Sequence, residues 1–147
     1  MIFVFAACGV PRITVLNHDE DQAAAKAKEF AEVAFVQREY KKAYDLLWEE
    51  TKKHVSFEQF LDVVNKMHPN AHPAQVAAIE FEPLPGQAGM NIYLKGKNGK
   101  EEFFYRFGMA GTKESGYKVS GIFRGNGPYP PSKLRRALKD APKEVNN

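Results

Sequence analysis

Cysteine is nearly absent from this chain of 147 residues. Cys8 stands alone, so no internal disulfide forms, and its thiol is free, modified or bonded to another chain. No apolar run reaches the roughly 18 residues that a membrane-spanning helix requires. The body has no excess of either charge. The net charge of +3 lies wholly in residues 132–147, where Lys133, Arg135, Arg136, Lys139 and Lys143 outnumber Asp140 and Glu144. A neutral body offers no general field for nucleic acid. There is no HExxH or Cys/His ligand spacing and no G-x-S-x-G elbow. The stretch GKNGK, residues 96–100, is a hairpin turn and not a glycine-rich loop opening a helix, so a phosphate cradle is unsupported. His68 and His72 are four apart, but Pro69 and Pro73 prevent the regular helix that would align them. Together with His54 they read as exposed loop histidines. The sequence calls for no metal and no cofactor.

What is present is the material of one α+β domain. The length suits a single domain that buries its own core. Asn17 and Glu20 fit a capping box, after which Ala23, Ala27, Phe30, Ala31 and Ala34 recur at helical spacing, with Lys26, Lys28, Glu29 and Glu32 on the wet side. REYKKAYDLLWEETKK repeats the pattern through Tyr40, Ala43, Tyr44, Leu47 and Thr51, with Leu46 and Trp48 widening the stripe. Ser56 to Gln59 is a second capping box, opening a third helix faced by Phe57, Phe60, Leu61, Val64 and Met67. His68-Pro69 ends it, because a residue before proline avoids helical geometry.

The period then changes to two. A first strand spans Val76 to Glu82. In the next, Ile92 and Leu94 alternate with Asn91, Tyr93 and Lys95; then Phe103, Tyr105, Phe107 and Met109 alternate with Phe104, Arg106 and Gly108. Tyr117, Val119, Gly121 and Phe123 alternate with Lys118, Ser120, Ile122 and Arg124. These are half-buried antiparallel strands, joined by a tight Asn98-Gly99 turn and by a hairpin over Thr112 to Gly116. The expected fold is three N-terminal helices on one face of a curved four-stranded antiparallel sheet, with the odd-numbered aromatics turned toward the helices. GNGPYPP, residues 125–131, is a connector. Ser132 then caps a short C-terminal helix. Its KLRRALKD reads as a solvated surface helix, with contact to anionic lipid or another acidic surface as the alternative. Residues 1–16, 17–125 and 126–147 are thus a leader with tether, the α+β domain, and a connector with a basic tail.

The run EYKKAYDLLWEETKKHVSFEQF resembles bacterial members of the nuclear-transport-factor-two-like superfamily. Tyr40, Ala43, Tyr44, Leu46, Leu47, Ser56, Glu58 and Phe60 match its helical motif, and Glu39 stands where Asp is usual. Gly116, Tyr117, Val119, Gly121 and Phe123 resemble its last strand. The resemblance covers about residues 20 to 125. It implies a cone in which helices and a curved sheet enclose a pocket, and hosts that range from isomerases and dehydratases to non-catalytic binding modules.

Acid–base chemistry in such a pocket needs a buried carboxylate or histidine, and the inner faces supply almost none. Asp45 and Asp62 can point to solvent, and Glu80 and Glu82 read as a wet strand face. No catalytic residue is assigned. The inner face is instead aromatic, with Tyr44, Trp48, Tyr105 and Tyr117 as pocket candidates. A small apolar molecule or a protein is the expected partner, and Tyr93, Phe104 and Ile122 make the outer sheet face a candidate homodimer surface. A buried carboxylate or histidine beside a tyrosine hydroxyl would favour a pocket enzyme. An aromatic cavity, or none, would favour binding.

The opening MIFVFAACG bears on location. FAAC-G resembles a lipobox, in which small residues let the peptidase reach the backbone and Cys8 accepts diacylglycerol. Phe5 stands where Leu is usual, and no basic n-region precedes it. A packed strand is the alternative. The expectation is a non-enzymatic exported lipoprotein of the bacterial envelope, held to the membrane through Cys8. A cytoplasmic protein is the alternative if the start is no signal.

Overall fold

A computed structural model describes residues 16–143 of the chain. Cys8, the FAACG stretch expected to be a signal and nearly all of the expected tether lie outside the described residues. The elements run α1 (Glu20–Ala31) with a π-helical turn (Glu32–Val36), α2 (Tyr40–Asp45), α3 (Glu49–His54), α4 (Phe57–Met67), β1 (Gln75–Pro83), β2 (Gly89–Asn98), β3 (Glu101–Thr112), β4 (Gly116–Gly125) and β5 (Arg136–Ala137). Helices come first and an open antiparallel sheet follows, in the order β4-β3-β2-β1-β5. The architecture is α+β.

Three helical boundaries differ from expectation, each for a tertiary reason. Asp19, and not Asn17, caps α1: its side chain accepts from Gln22 N at 3.0 Å. Asn17 is drawn off to the β3–β4 turn, donating to Glu114 at 2.9 Å. The last turn of α1 widens to π geometry, with Gln37 N donating to Glu32 O at 2.8 Å, and it ends at Arg38, whose φ is 57°. The extra residue aims Val33, Ala34 and Phe35 inward in succession. The long second helix breaks in two at Leu46–Trp48. There the backbone serves the sheet: Leu47 bridges Val119, Trp48 N donates to Val119 O at 2.8 Å, and Thr51 Oγ1 donates to Ser120 O at 2.8 Å. These bonds satisfy an edge strand that a continuous helix would leave open. The Ser56–Gln59 capping box is present with both of its hydrogen bonds.

In the sheet, Met90, Ile92, Leu94, Phe103, Tyr105, Phe107 and Met109 are buried against the helices, as alternation predicts. Two bulges then invert the faces. In β1, Ala78 pairs with Leu94 but Glu80 pairs with Tyr93, so Ile79 is the extra residue. In β4, Gly121 pairs with Gly108 but Val119 pairs with Met109, so Ser120 is extra. One added residue shifts every later side chain to the other face. Ile122 therefore packs on the core, and Phe123 stands 52% exposed on the outer face, beside Arg106. This reverses the expected alternation at both positions. Ile122→Ala should cost at least about 1 kcal/mol and Phe123→Ala less than about 1 kcal/mol, measured by urea denaturation. The opposite ranking would mean that β4 has no bulge.

Among the described residues no helix follows Ser132. Residues 126–138 instead fold back over the outer face, and β5 joins β1 through the pairs Glu80–Ala137 and Phe81–Arg136. Two consecutive prolines precede Ser132, whose hydroxyl donates to Glu82 and caps nothing. Leu138 gains burial on the core that a solvated helix would forgo. Arg135 anchors the strap: its guanidinium lies 4.6 Å from the Tyr93 ring, its Nε is 3.3 Å from Glu80, and it donates to Tyr129 O at 2.9 Å.

Candidate functional site

The four tyrosine and tryptophan candidates do not converge. Tyr44 sits between α2 and α4 against Phe57 and Phe60, and its hydroxyl donates to Val55 O at 2.7 Å. Trp48 is 40% exposed at the start of α3. Tyr117 is buried beneath the entry to α1. Its hydroxyl accepts from Asp19 N at 2.9 Å and donates to His18 Nδ1 at 3.1 Å, while His18 Nε2 donates to Gln87 O. Burial, then the nearby Asp19 carboxylate, raises the Tyr117 hydroxyl above its usual range. Tyr105 lies at the centre of the core, far from the other three in its contacts.

Around Tyr105 the structure builds a group that sequence periodicity does not reveal. His68, read as an exposed loop residue, is only 5% exposed. It closes α4, where the chain must turn before Pro69, and the turn carries its ring under the sheet. Its Nδ1 lies 3.0 Å from Val64 O, and its Nε2 lies 2.7 Å from the Tyr105 hydroxyl. A carbonyl only accepts, so Nδ1 carries the proton and Nε2 accepts from Tyr105. The imidazole is neutral. Burial lowers its pKa to about 4, helped by His72 and Arg124. Burial likewise raises the Tyr105 hydroxyl far above its usual range.

Phe35 packs on both rings, at 4.7 Å from His68 and 4.8 Å from Tyr105. His72, also read as an exposed loop residue, is half-buried and stacks on His68 at 4.9 Å with the planes 17° apart. Phe30 meets Phe35 and Phe107 edge to face. The space between helices and sheet is thus filled by aromatic rings. The one signal that could have found His68 is its place four residues after Val64, which lets its ring bond back to the helix carbonyl.

Among the described residues no carboxylate is hydrogen-bonded to this group. Asp45 and Asp62 form surface pairs with Lys41 and Lys66 at 3.4 and 2.8 Å. Glu82, on the outer face, accepts from Ser132, Asn91 and Tyr93, and the Ser132 hydroxyl, followed by the other two, holds its pKa below the usual range. Glu80 is tied to Arg135. Among the described residues no three His, Cys, Asp or Glu side chains are grouped to hold a metal ion.

The openings lie on the outside. A cleft of about 560 Å³ is bounded by Val63, Met67 and Pro69 after α4, and by Phe104 and Arg124 of the sheet. A second, of about 440 Å³, runs over Tyr93, Phe104 and Tyr129. Glu102 and Phe104 line both, so the two meet as a trough at that part of β3, one arm reaching α4 and the other the outer face. Of the residues expected to make a dimer face, Tyr93 packs against the chain's own Tyr129 and Arg135 and lines only the second opening, Ile122 faces inward, and Phe104 borders both openings. No family model, curated protein or solved structure matches the chain. Among the described residues no helix is long and apolar enough to cross a membrane.

Proposed function

We propose that the chain is a non-enzymatic binding module of the nuclear-transport-factor-two-like type, exported to the bacterial envelope and held there through a lipidated Cys8. The observation that carries the non-catalytic part is the pairing of the interior hydroxyls. Tyr44, Tyr105 and Tyr117 each bond a group of this chain, and rings occupy the volume a substrate would need. The recognition surface in this reading is the outer trough at Phe104. Its open, charge-rimmed shape, with Lys66, Glu101 and Glu102, suits a protein segment better than a small apolar molecule. The residues Ala43, Leu47 and Phe60, which carry the superfamily resemblance, pack into the core, and this supports the reading.

The anchor rests on FAACG. Mass spectrometry of the protein from its native host should find a mature chain beginning at a diacylglyceryl-modified Cys8. An intact Met1 with an unmodified Cys8 would refute it.

A second reading has one observation in its favour. His68 beside the Tyr105 hydroxyl is a buried histidine–tyrosine pair, the arrangement that favours a pocket enzyme of isomerase or dehydratase type. It requires the interior to open. Titration with a hydrophobic fluorescent probe separates the two readings: a closed interior gives no saturable response, and one-to-one saturation supports the enzyme.

A further inference from the structure

The strap formed by residues 132–143 carries five cations against one carboxylate, and its fold sorts its side chains by role. Arg135 and Leu138 face the domain, the first on Tyr93 and Glu80, the second in the core. Lys133, Leu134, Arg136 and Lys139 are left exposed, Leu134 at 45%. Arg136 donates only to backbone carbonyls, those of Lys133 and Arg135. Among the described residues, Lys133, Arg136 and Lys139 have no carboxylate partner, whereas the lysines of the helices are mostly paired, as Lys26 is with Glu29, Lys52 with Glu49 and Lys66 with Asp62. Asp140 is the acidic side chain of the strap itself. It sits in a groove of about 290 Å³ with Asp21, Lys28 and Pro142, against the first turns of α1.

We infer that this strap is a docking surface for anionic lipid headgroups. Three unpaired cations around one exposed leucine are the composition of an interfacial contact, in which the leucine enters the headgroup boundary and the cations meet phosphates. Nucleic acid fits less well. The strap offers no free aromatic platform, since Tyr129 is packed on Tyr93 and Arg106. Position also favours lipid. The end of the strap lies beside the start of α1, where the described chain begins. Between Leu16 and Cys8 the chain spans at most about 28 Å. The inference therefore rests on and deepens the envelope-anchor reading: the diacylglyceryl group on Cys8 holds the chain to the membrane, and a basic patch on the same side seats the domain against the anionic headgroups.

The test uses full-length protein with Cys8→Ser, so that binding owes nothing to lipidation. Co-sedimentation with vesicles of phosphatidylglycerol and phosphatidylcholine at low salt should exceed that with pure phosphatidylcholine at least ten-fold, and should fall in 0.5 M NaCl. The triple variant Lys133→Gln, Arg136→Gln, Lys139→Gln, which spares Arg135, should weaken it about 100-fold with an unchanged circular dichroism melt. Leu134→Ser should weaken it without altering the salt dependence. Equal binding to neutral vesicles, an unchanged triple variant, or tighter binding to duplex DNA at the same salt would overturn the inference. The anchor itself stands or falls on the mass of the native protein, so the two failures are distinguishable.

Discussion

Phe35→Ala should destabilise the fold by about 3–5 kcal/mol, the range for emptying a fully buried aromatic site. The ring touches Phe30, His68, Tyr105 and Phe107, and it belongs to the π turn, whose backbone cannot slide inward without breaking the Gln37–Glu32 bond. Collapse around the void is therefore restricted, and the cost falls in the upper part of that range. For a domain of this size the thermal midpoint should drop by more than about 10 °C. Urea denaturation followed by far-ultraviolet circular dichroism gives the free energy directly. A loss below about 1 kcal/mol would show that the ring is not the centre of a filled interior, and would reopen the case for a pocket there.

Acidification should remove about 3 kcal/mol of stability through His68 alone. In the unfolded chain the imidazole protonates near its ordinary pKa of about 6.5, and in the folded protein only at about 4. Between those values the unfolded state binds the proton and the folded state does not. Stability is thus complete above about pH 6.5 and declines as the pH falls toward 4. His72, whose pKa burial and then Arg38 also lower, acts in the same direction. His68→Gln keeps a donor for Val64 O and an acceptor for Tyr105, so its fold should persist while most of the slope between pH 6.5 and 4 disappears. Urea midpoints measured at several pH values check this. An unaltered slope in the variant would assign the acid sensitivity to other groups.

The class of fold was legible because its signals are local. Ser56 and Gln59 announce α4 within one turn of sequence, Asn98-Gly99 announces its hairpin, and Gly99 duly adopts a φ of 59°. The alternation of Phe103, Tyr105 and Phe107 predicts burial correctly because β3 has regular neighbours on that stretch. What stayed hidden depends on partners distant in the chain. The break before Trp48 exists because Val119 needs a bonding partner. The bulges at Ile79 and Ser120 leave no mark in the hydrophobic pattern, since both strands still alternate on either side of them. His68 follows a helix and precedes a proline, the usual setting of a wet loop, and only the Tyr105 hydroxyl explains its burial. The four pocket candidates lie apart for a related reason: periodicity places an aromatic on a face, but does not say which other residues it meets there.

The sheet has two outer strands, and distant segments of the same chain interrupt both. Leu47 and Trp48 sit on the rim of β4, and β5 sits on the rim of β1. Rows of unused backbone groups at such rims are the template from which strand-to-strand aggregation grows. Under the proposed anchoring, closing them would matter most, because neighbours held on a surface meet rim to rim in two dimensions. The strap that reads as a docking device is by this measure also a guard against fibre growth, and a truncated chain ending before it would expose the very edge that crowding endangers.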